Sequence, residues 1–320
     1  MGYSTETYRV VKDILEKRRQ AALAESDRHR VEVHEKSDEI AAIDRELRKT
    51  GLALFRAACE GGKSSDAFVE VMAKNQALQE ERGKILISLG LPADYTEVHY
   101  TCPVCRDTGY SDIHMCDCMR RELTKAALRQ SGLGRLIDTQ SFENFSLDYY
   151  KENKENARRM ERTLAICREY AENFSPASGN LIFFGRTGLG KTHLSTAIAK
   201  CVIERGFDVR YESAPNLFGE FEYDRFKSGH GEDARAEKYM EADLLILDDL
   251  GTEATTQFTV SCLYNIINTR ENNGRPTIIN TNLGEAELEA RYGDRITSRL
   301  FGSYRVLVFV GEDVRRQKLK

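Results

Sequence analysis

No apolar run in this 320-residue chain approaches the ~20 residues needed to span a bilayer. The longest, Leu244–Leu247 and Val306–Val310, fall far short of it. The start lacks the apolar core of a secretory signal, because Met1-Gly2-Tyr3-Ser4-Thr5-Glu6 runs straight into charged sequence. No membrane partner is expected, and the cytoplasm is the expected compartment. Charge of one sign is not in excess either. Lys and Arg number 47 against 51 Asp and Glu, a net charge of −4, so no global imbalance marks a duplex-binding domain. Local phosphate grooves remain open to the chain, since a few cations on one face suffice. With 41% hydrophobic and 31% charged residues, the composition is that of a folded, well-solvated protein rather than a disordered one.

Residues 5–50 contain no proline and no glycine, so nothing stops a helix there. Val10, Val11, Ile14 and Leu15, then Ile40, Ile43 and Leu47, recur at helical spacing around a very polar stretch. The pattern predicts one or two long amphipathic helices that need a partner face, met either within the chain as a hairpin or by another protein. A further helical region over 65–89 is ended by Leu91-Pro92. From about Thr139 the texture changes. Leu181–Phe184, Val209–Tyr211, Leu244–Leu247, Thr277–Thr281 and Arg305–Val310 read as strands alternating with helices, which means a parallel sheet covered on both faces. The expected layout is a helical N-terminal region over 1–98, a cysteine module over 99–122, a linker over 123–138 and an α/β domain over 139–320.

Gly185-Arg186-Thr187-Gly188-Leu189-Gly190-Lys191-Thr192 matches Gly-x-x-x-x-Gly-Lys-Ser/Thr, and His193 continues it. Context gives the match its meaning: an apolar strand precedes it and a helical stretch follows. The glycines let the backbone wrap phosphate, and the helix start aims amides at the anion. Lys191 is expected to pair with β- and γ-phosphate oxygens, and Thr192 to hold Mg²⁺. Downstream, Leu244-Leu245-Ile246-Leu247 is a buried strand ending in Asp248 and Asp249. Asp248 is expected to hold Mg²⁺ through water, and Asp249 to orient or deprotonate the attacking water. These residues predict an enzyme that hydrolyses a nucleoside triphosphate.

Eight cysteines in an unsecreted chain do not read as a disulfide scaffold. Cys59, Cys167, Cys201 and Cys262 stand alone and are expected to be small buried hydrophobes. The other four cluster: Cys102-Pro103-Val104-Cys105, then Cys116-Asp117-Cys118. Four thiolates suffice for a closed, structural Zn²⁺ site. The Cys-x-Cys half departs from the commonest spacing, and His114 is an alternative ligand. An iron–sulfur cluster, a redox pair and free thiols are the other readings of the same residues.

The phosphate loop through Thr192-His193-Leu194, then Leu247-Asp248-Asp249-Leu250-Gly251, Pro276–Leu283 and Asp294–Leu300, resembles AAA+ replicative helicase loaders of the DnaC/DnaI type and the related IstB-like ATP-binding proteins. The resemblance covers about 139–320. It implies an α/β AAA+ core with a five-stranded parallel sheet, and ATP with Mg²⁺ as ligands. It implies self-association through that domain, and action on a replicative helicase hexamer and on single-stranded DNA. The zinc-bearing region of DnaI-type loaders contacts the helicase, so the N-terminal part is expected to do so here. Asn282 matches the family's polar sensor and is expected beside Asp248. Arg299, four residues after Arg295, matches the arginine finger that acts across a subunit boundary. Arg315 matches the second sensor, with Arg316 as the alternative. Many AAA+ proteins have Glu where Asp249 stands; Asp fits the loader pattern and implies slow, switch-like turnover. Few residues follow Val310, so no helical lid domain is expected. Phe142 and Phe145 are expected near adenine or in the core. Phe218, Phe221, Tyr223, Arg225, Phe226 and Lys227 are expected to stack on single-stranded bases or to pack as helical core. The rival readings are an IstB-like regulator of a DNA transposase and a pure adaptor with a structural nucleotide. The first usually has a shorter N-terminal region without the cysteines. Intact Lys191, Asp248 and Arg299 oppose the second.

Overall fold

A computed structural model describes residues 3–61, 66–227 and 237–317. It divides into two units, Lys12–Arg120, and Met1–Val11 together with Arg121–Lys320.

The smaller unit is mainly helical. α1 (Thr5–Lys36), which begins in the larger unit's residues, holds no helix breaker and runs until Ser37. The Ser37 hydroxyl accepts the Ile40 amide at 3.3 Å and caps α2 (Asp38–Gly61). α3 (Asp66–Ser88) ends just before Leu91-Pro92. Gly90 takes φ +78° and the Leu91 amide bonds the Leu86 carbonyl at 3.0 Å, the usual left-handed closure of a helix. Val33, Ile40 and Leu86 form the small core, with Tyr95 packed against it. Asp44 on α2 accepts Arg82 of α3 at 2.6 and 3.3 Å and His34 of α1 at 2.7 Å, which ties the three helices together. Leu52, Phe55, Val69 and Met72 stay exposed on α2 and α3. Cys59 is exposed rather than buried, because it shares the outward face of α2 with Leu52 and Phe55. β1 (Tyr110–Ser111) and β2 (His114–Met115) form a short antiparallel hairpin.

The larger unit is built on a five-stranded parallel sheet in the order β4-β5-β6-β3-β7. Its strands are β3 (Asn180–Phe184), β4 (Val209–Ser213), β5 (Leu244–Leu250), β6 (Thr277–Thr281) and β7 (Tyr304–Val308). Helices α4 (Asp117–Gln130), α5 (Leu136–Thr139), α6 (Lys154–Glu172) and α7 (Lys191–Glu204) precede β4. α8 (Ala214–Lys227), α9 (Glu237–Glu241), α10 (Gln257–Asn272), α11 (Glu285–Tyr292), α12 (Asp294–Ser303) and α13 (Val314–Gln317) complete it. The core strands are apolar on both faces, as burial between two helical layers demands. Among the described residues, no helix is long and apolar enough to cross a membrane.

Residues 123–138, expected to be a linker, are instead part of this unit. Leu123, Ala126, Ala127 and Leu133 are buried, and the Ser131 carbonyl accepts the Tyr211 amide at 2.7 Å on the open side of β4. The segment has work to do because an edge strand leaves amides unpaired. Residues 3–11 join the same unit: the Thr7 hydroxyl donates to Gln130 Oε1 at 2.6 Å, and the Tyr3 hydroxyl lies 2.8 Å from that of Thr124.

Arg270 on α10 is fully buried and, among the described residues, has no carboxylate partner. It donates to the carbonyls of Tyr239 (2.7 Å), Met240 (3.3 Å), Ala242 (2.9 Å) and Pro276 (2.7 Å) and to the Thr277 hydroxyl (3.0 Å). Burial lowers its pKa to about 10, so it stays charged at neutral pH. One guanidinium thus closes the ends of α9 and the start of β6. Arg270→Met should cost about 3–5 kcal/mol, because it orphans several buried acceptors at once. Denaturant unfolding of the variant measures it; a change under about 1 kcal/mol would contradict the assignment.

Candidate nucleotide site and candidate metal centre

The nucleotide cavity forms where β3, β5 and β6 end. β3 runs out at Phe184, the loop of residues 185–190 turns back, and α7 starts at Lys191. Gly188 and Gly190 sit at φ +81° and +89°, where side chains are disfavoured. A Cβ at Gly188 would also collide with Asp313, and one at Gly190 would lie 2.9 Å from the Phe145 ring. The glycines are therefore required by the walls as well as by the turn.

Lys191 is buried, and its ammonium donates to the carbonyls of Gly185 (2.5 Å) and Arg186 (3.0 Å) and to Asn282 Oδ1 (2.6 Å). Burial lowers its pKa to about 8, with Asp249 and Asp248 opposing. The Thr192 hydroxyl donates to Asp248 Oδ2 at 3.0 Å. Asp248 is buried and also accepts the Tyr211 hydroxyl, Asn280 Nδ2 at 2.8 Å and the Asp249 amide at 3.0 Å. Asp249 follows within an irregularity of the β5–β6 ladder between Leu247 and Leu250, at φ +54°. That left-handed turn aims the second carboxylate into the cavity instead of across the sheet. Partial desolvation, then the charge of Asp248, raises the Asp249 pKa, while Lys191 and Arg315 pull it back.

One sequence expectation changes here. Asn282 lies on Lys191, and it is Asn280 that bonds Asp248. Asn280 lies within β6 and also reaches the Ser195 hydroxyl at 2.9 Å, about one helical turn along α7 from Lys191, whereas Asn282 lies just past the end of the strand. Arg315 lines the cavity, whereas Arg316 is exposed and 4.0 Å from Asp313. The cause is a turn in which the Asp313 carboxylate accepts the Arg315 amide at 2.8 Å and the Val314 amide bonds the Gly188 carbonyl at 3.0 Å. Residues 187–193 line the cavity; Gly185 and Arg186 meet it through the carbonyls that hold Lys191.

Phe145 lines the cavity, edge-on to His193 at 5.3 Å and stacked near Tyr150 at 5.9 Å. Phe142 does not; it lies under the Arg168 guanidinium. Tyr149, Tyr150 and Gln140 also line the cavity and were missed by sequence reasoning. The one available signal was the density of aromatics ahead of α6. Arg299 on α12 is not among the cavity residues. Its guanidinium stands 4.9 Å from the Tyr264 ring centre and 3.3 Å from Asn268 Oδ1 on α10. On α8, Phe218 is buried core and cannot stack on a base, Phe221 is partly buried against that core, and Arg225 lies over Phe258. The side chains of Phe226 and Lys227 lie outside the described residues.

In the smaller unit, Cys102, Cys105, Cys116 and Cys118 bring all four sulfurs within 4.8 Å of one another. Cys102 and Cys116 Sγ are 3.7 Å apart, Cys105 and Cys118 Sγ 3.3 Å. Tetrahedral zinc with thiolates at about 2.3 Å needs sulfurs about 3.8 Å apart, so the donor set fits it. Buried Asp107 accepts the amides of Thr101 (2.8 Å) and Cys102 (2.9 Å), and Arg106 and Asp107 turn left-handed to bring Cys105 back. The Cys105 amide lowers the Cys102 pKa to about 7, toward thiolate. His114 lies on the exposed hairpin outside the four-sulfur group.

A family model for IstB-like ATP binding proteins matches residues 116–318. The replicative helicase loader DnaC of Escherichia coli K12 is 28% identical over 171 residues, 53% of this chain and 66% of that protein. The match thus spans slightly under two thirds of the loader's length. A Mycobacterium tuberculosis protein of an insertion sequence, named for ATP binding, is 30% identical over 109 residues, 33% of this chain and 41% of that one. A crystal structure of the DnaC helicase loader aligns at 25% identity and TM-score 0.48, covering 55% of this chain and 99% of that one.

Proposed function

The chain belongs to the family of IstB-like ATP binding proteins, and on that premise we propose that it is an ATP-hydrolysing loader placing a replicative helicase on single-stranded DNA. The observation that carries the ATPase half is the convergence of Lys191, Thr192, Asp249, Asn282 and Arg315 on one cavity. Lys191 and the loop amides bind phosphate, and Arg315 adds a second cation on the far wall. Magnesium fits the hard oxygens of Thr192 and Asp248, 3.0 Å apart, with Asp248 held by Tyr211, Asn280 and the Asp249 amide; when bound with ATP it would neutralise phosphate charge. Asp249, carried into the cavity by its left-handed turn, holds the attacking water. The loader half is supported by relatives named as replicative helicase loaders and by a helical N-terminal unit with exposed apolar residues.

Full-length chain, immobilised with ATP, should retain the replicative helicase of its own cell and not a transposase from the same genome. The identity to an insertion-sequence protein favours a second reading, regulation of a transposase. Retention of transposase alone would replace the first reading with the second.

Zinc would close the four-cysteine site with no open position, so its part is structural. Metal analysis should find one Zn²⁺ per chain, and the Cys102→Ser, Cys105→Ser double variant should lose it. Iron with a visible absorbance band would overturn this.

A further inference from the structure

Asp248 has a neighbour that the phosphate-loop and acidic-strand patterns do not announce. Tyr211 on β4 pairs in register with Ile246, two residues before Asp248, and its hydroxyl donates to Asp248 Oδ2. That is the oxygen to which Thr192 also donates. The other oxygen, Oδ1, takes Asn280 and the Asp249 amide. The carboxylate therefore has two donors on each oxygen, and the two on Oδ2 differ in kind. Thr192 is itself a magnesium ligand in the proposed reading; Tyr211 is not.

The tyrosine is anchored independently of the cavity. Its amide donates to the Ser131 carbonyl at 2.7 Å, outside the sheet edge, and the neighbouring Arg210 guanidinium bonds the Gln130 carbonyl at 2.7 Å. Gly132, at φ +86°, packs so closely that a Cβ there would strike the Tyr211 carbonyl. The end of α4 thus fixes where the hydroxyl points.

We propose that Tyr211 is a positioning residue for magnesium, holding Asp248 in the rotamer that receives the hydrated ion while Thr192 turns its hydroxyl to the metal. The inference rests on the reading of Thr192 and Asp248 as the magnesium site. A group that orients a metal ligand from outside the coordination shell is typically worth 10–100-fold in metal affinity. A group that only fills space is not selective for the metal-bound state.

The test is nucleotide binding by full-length protein, measured by calorimetry with ATP in EDTA and across a Mg²⁺ titration, together with Mn²⁺ binding read by electron paramagnetic resonance. Tyr211→Phe should leave metal-free ATP affinity within about twofold and raise the half-saturating Mg²⁺ and the Mn²⁺ dissociation constant about tenfold. Gly132→Ala, which keeps the hydroxyl but drives the β4 edge off its anchor, should shift both in the same direction and by less. An unchanged metal requirement in Tyr211→Phe overturns the proposal, as does an equal loss of metal-free ATP binding. If the unaltered protein shows no metal dependence of ATP binding, the reading of the magnesium site fails instead.

Discussion

Lys191→Ala is expected to lose ATP binding by at least about 100-fold, whereas Asp249→Asn should bind ATP normally and lose hydrolysis by about 10²–10⁴-fold. The asymmetry follows from what each residue touches. Lys191 is held inside the loop by Gly185, Arg186 and Asn282, where it brings a positive charge that the loop amides lack. Phosphate binding is therefore expected to depend mostly on it. Asp249 reaches the cavity from a left-handed turn at the irregularity in β5, and among the described residues its carboxylate has no hydrogen bond to the loop. Its loss should spare the ground state. Equilibrium binding of a fluorescent ATP analogue and phosphate release measure the two effects separately. Normal hydrolysis by Asp249→Asn would remove it from the mechanism.

Arg299→Ala should lower ATP hydrolysis about 10³-fold, the lower end of what an arginine finger supplies, and should leave ATP binding to a single chain intact. Within its own chain the guanidinium is directed at Tyr264 and Asn268, not at the cavity. Service to a neighbouring subunit is the proposal that gives it a phosphate. The experiment mixes Arg299→Ala with Lys191→Ala protein. Each is inactive alone, but a mixed interface pairs an intact loop with an intact arginine. Recovered activity places the arginine in trans. No recovery despite demonstrated co-assembly would return Arg299 to its ion pair with Glu271, 4.0 Å away.

Much of the site was legible because its signals are local. The phosphate loop is one continuous segment whose glycines, lysine and threonine act on neighbours in the chain. β3 and β5 were legible for the same reason, a run of apolar residues long enough to need burial on both faces. The strand predicted over Arg305–Val310 begins and ends earlier, at Tyr304–Val308, because its limits are set by pairing with β3 and not by its own hydrophobicity. The clustering of Cys102, Cys105, Cys116 and Cys118 followed from spacing; the turn at Arg106 and Asp107 that closes it did not.

What the chain order determined alone was the sheet-and-helix class, the phosphate loop, the acidic pair and the thiol cluster, all carried by residues within a few positions of each other. Only the tertiary structure decided which asparagine meets Asp248 and which meets Lys191, since that depends on strand register. It also decided that Arg315 rather than Arg316 lines the cavity, and that residues 123–138 belong to the sheet. Tyr211 reaches Asp248 for the same reason: β4 and β5 are far apart in sequence, with α8 and α9 between them, and become neighbours only when hydrogen-bonded side by side.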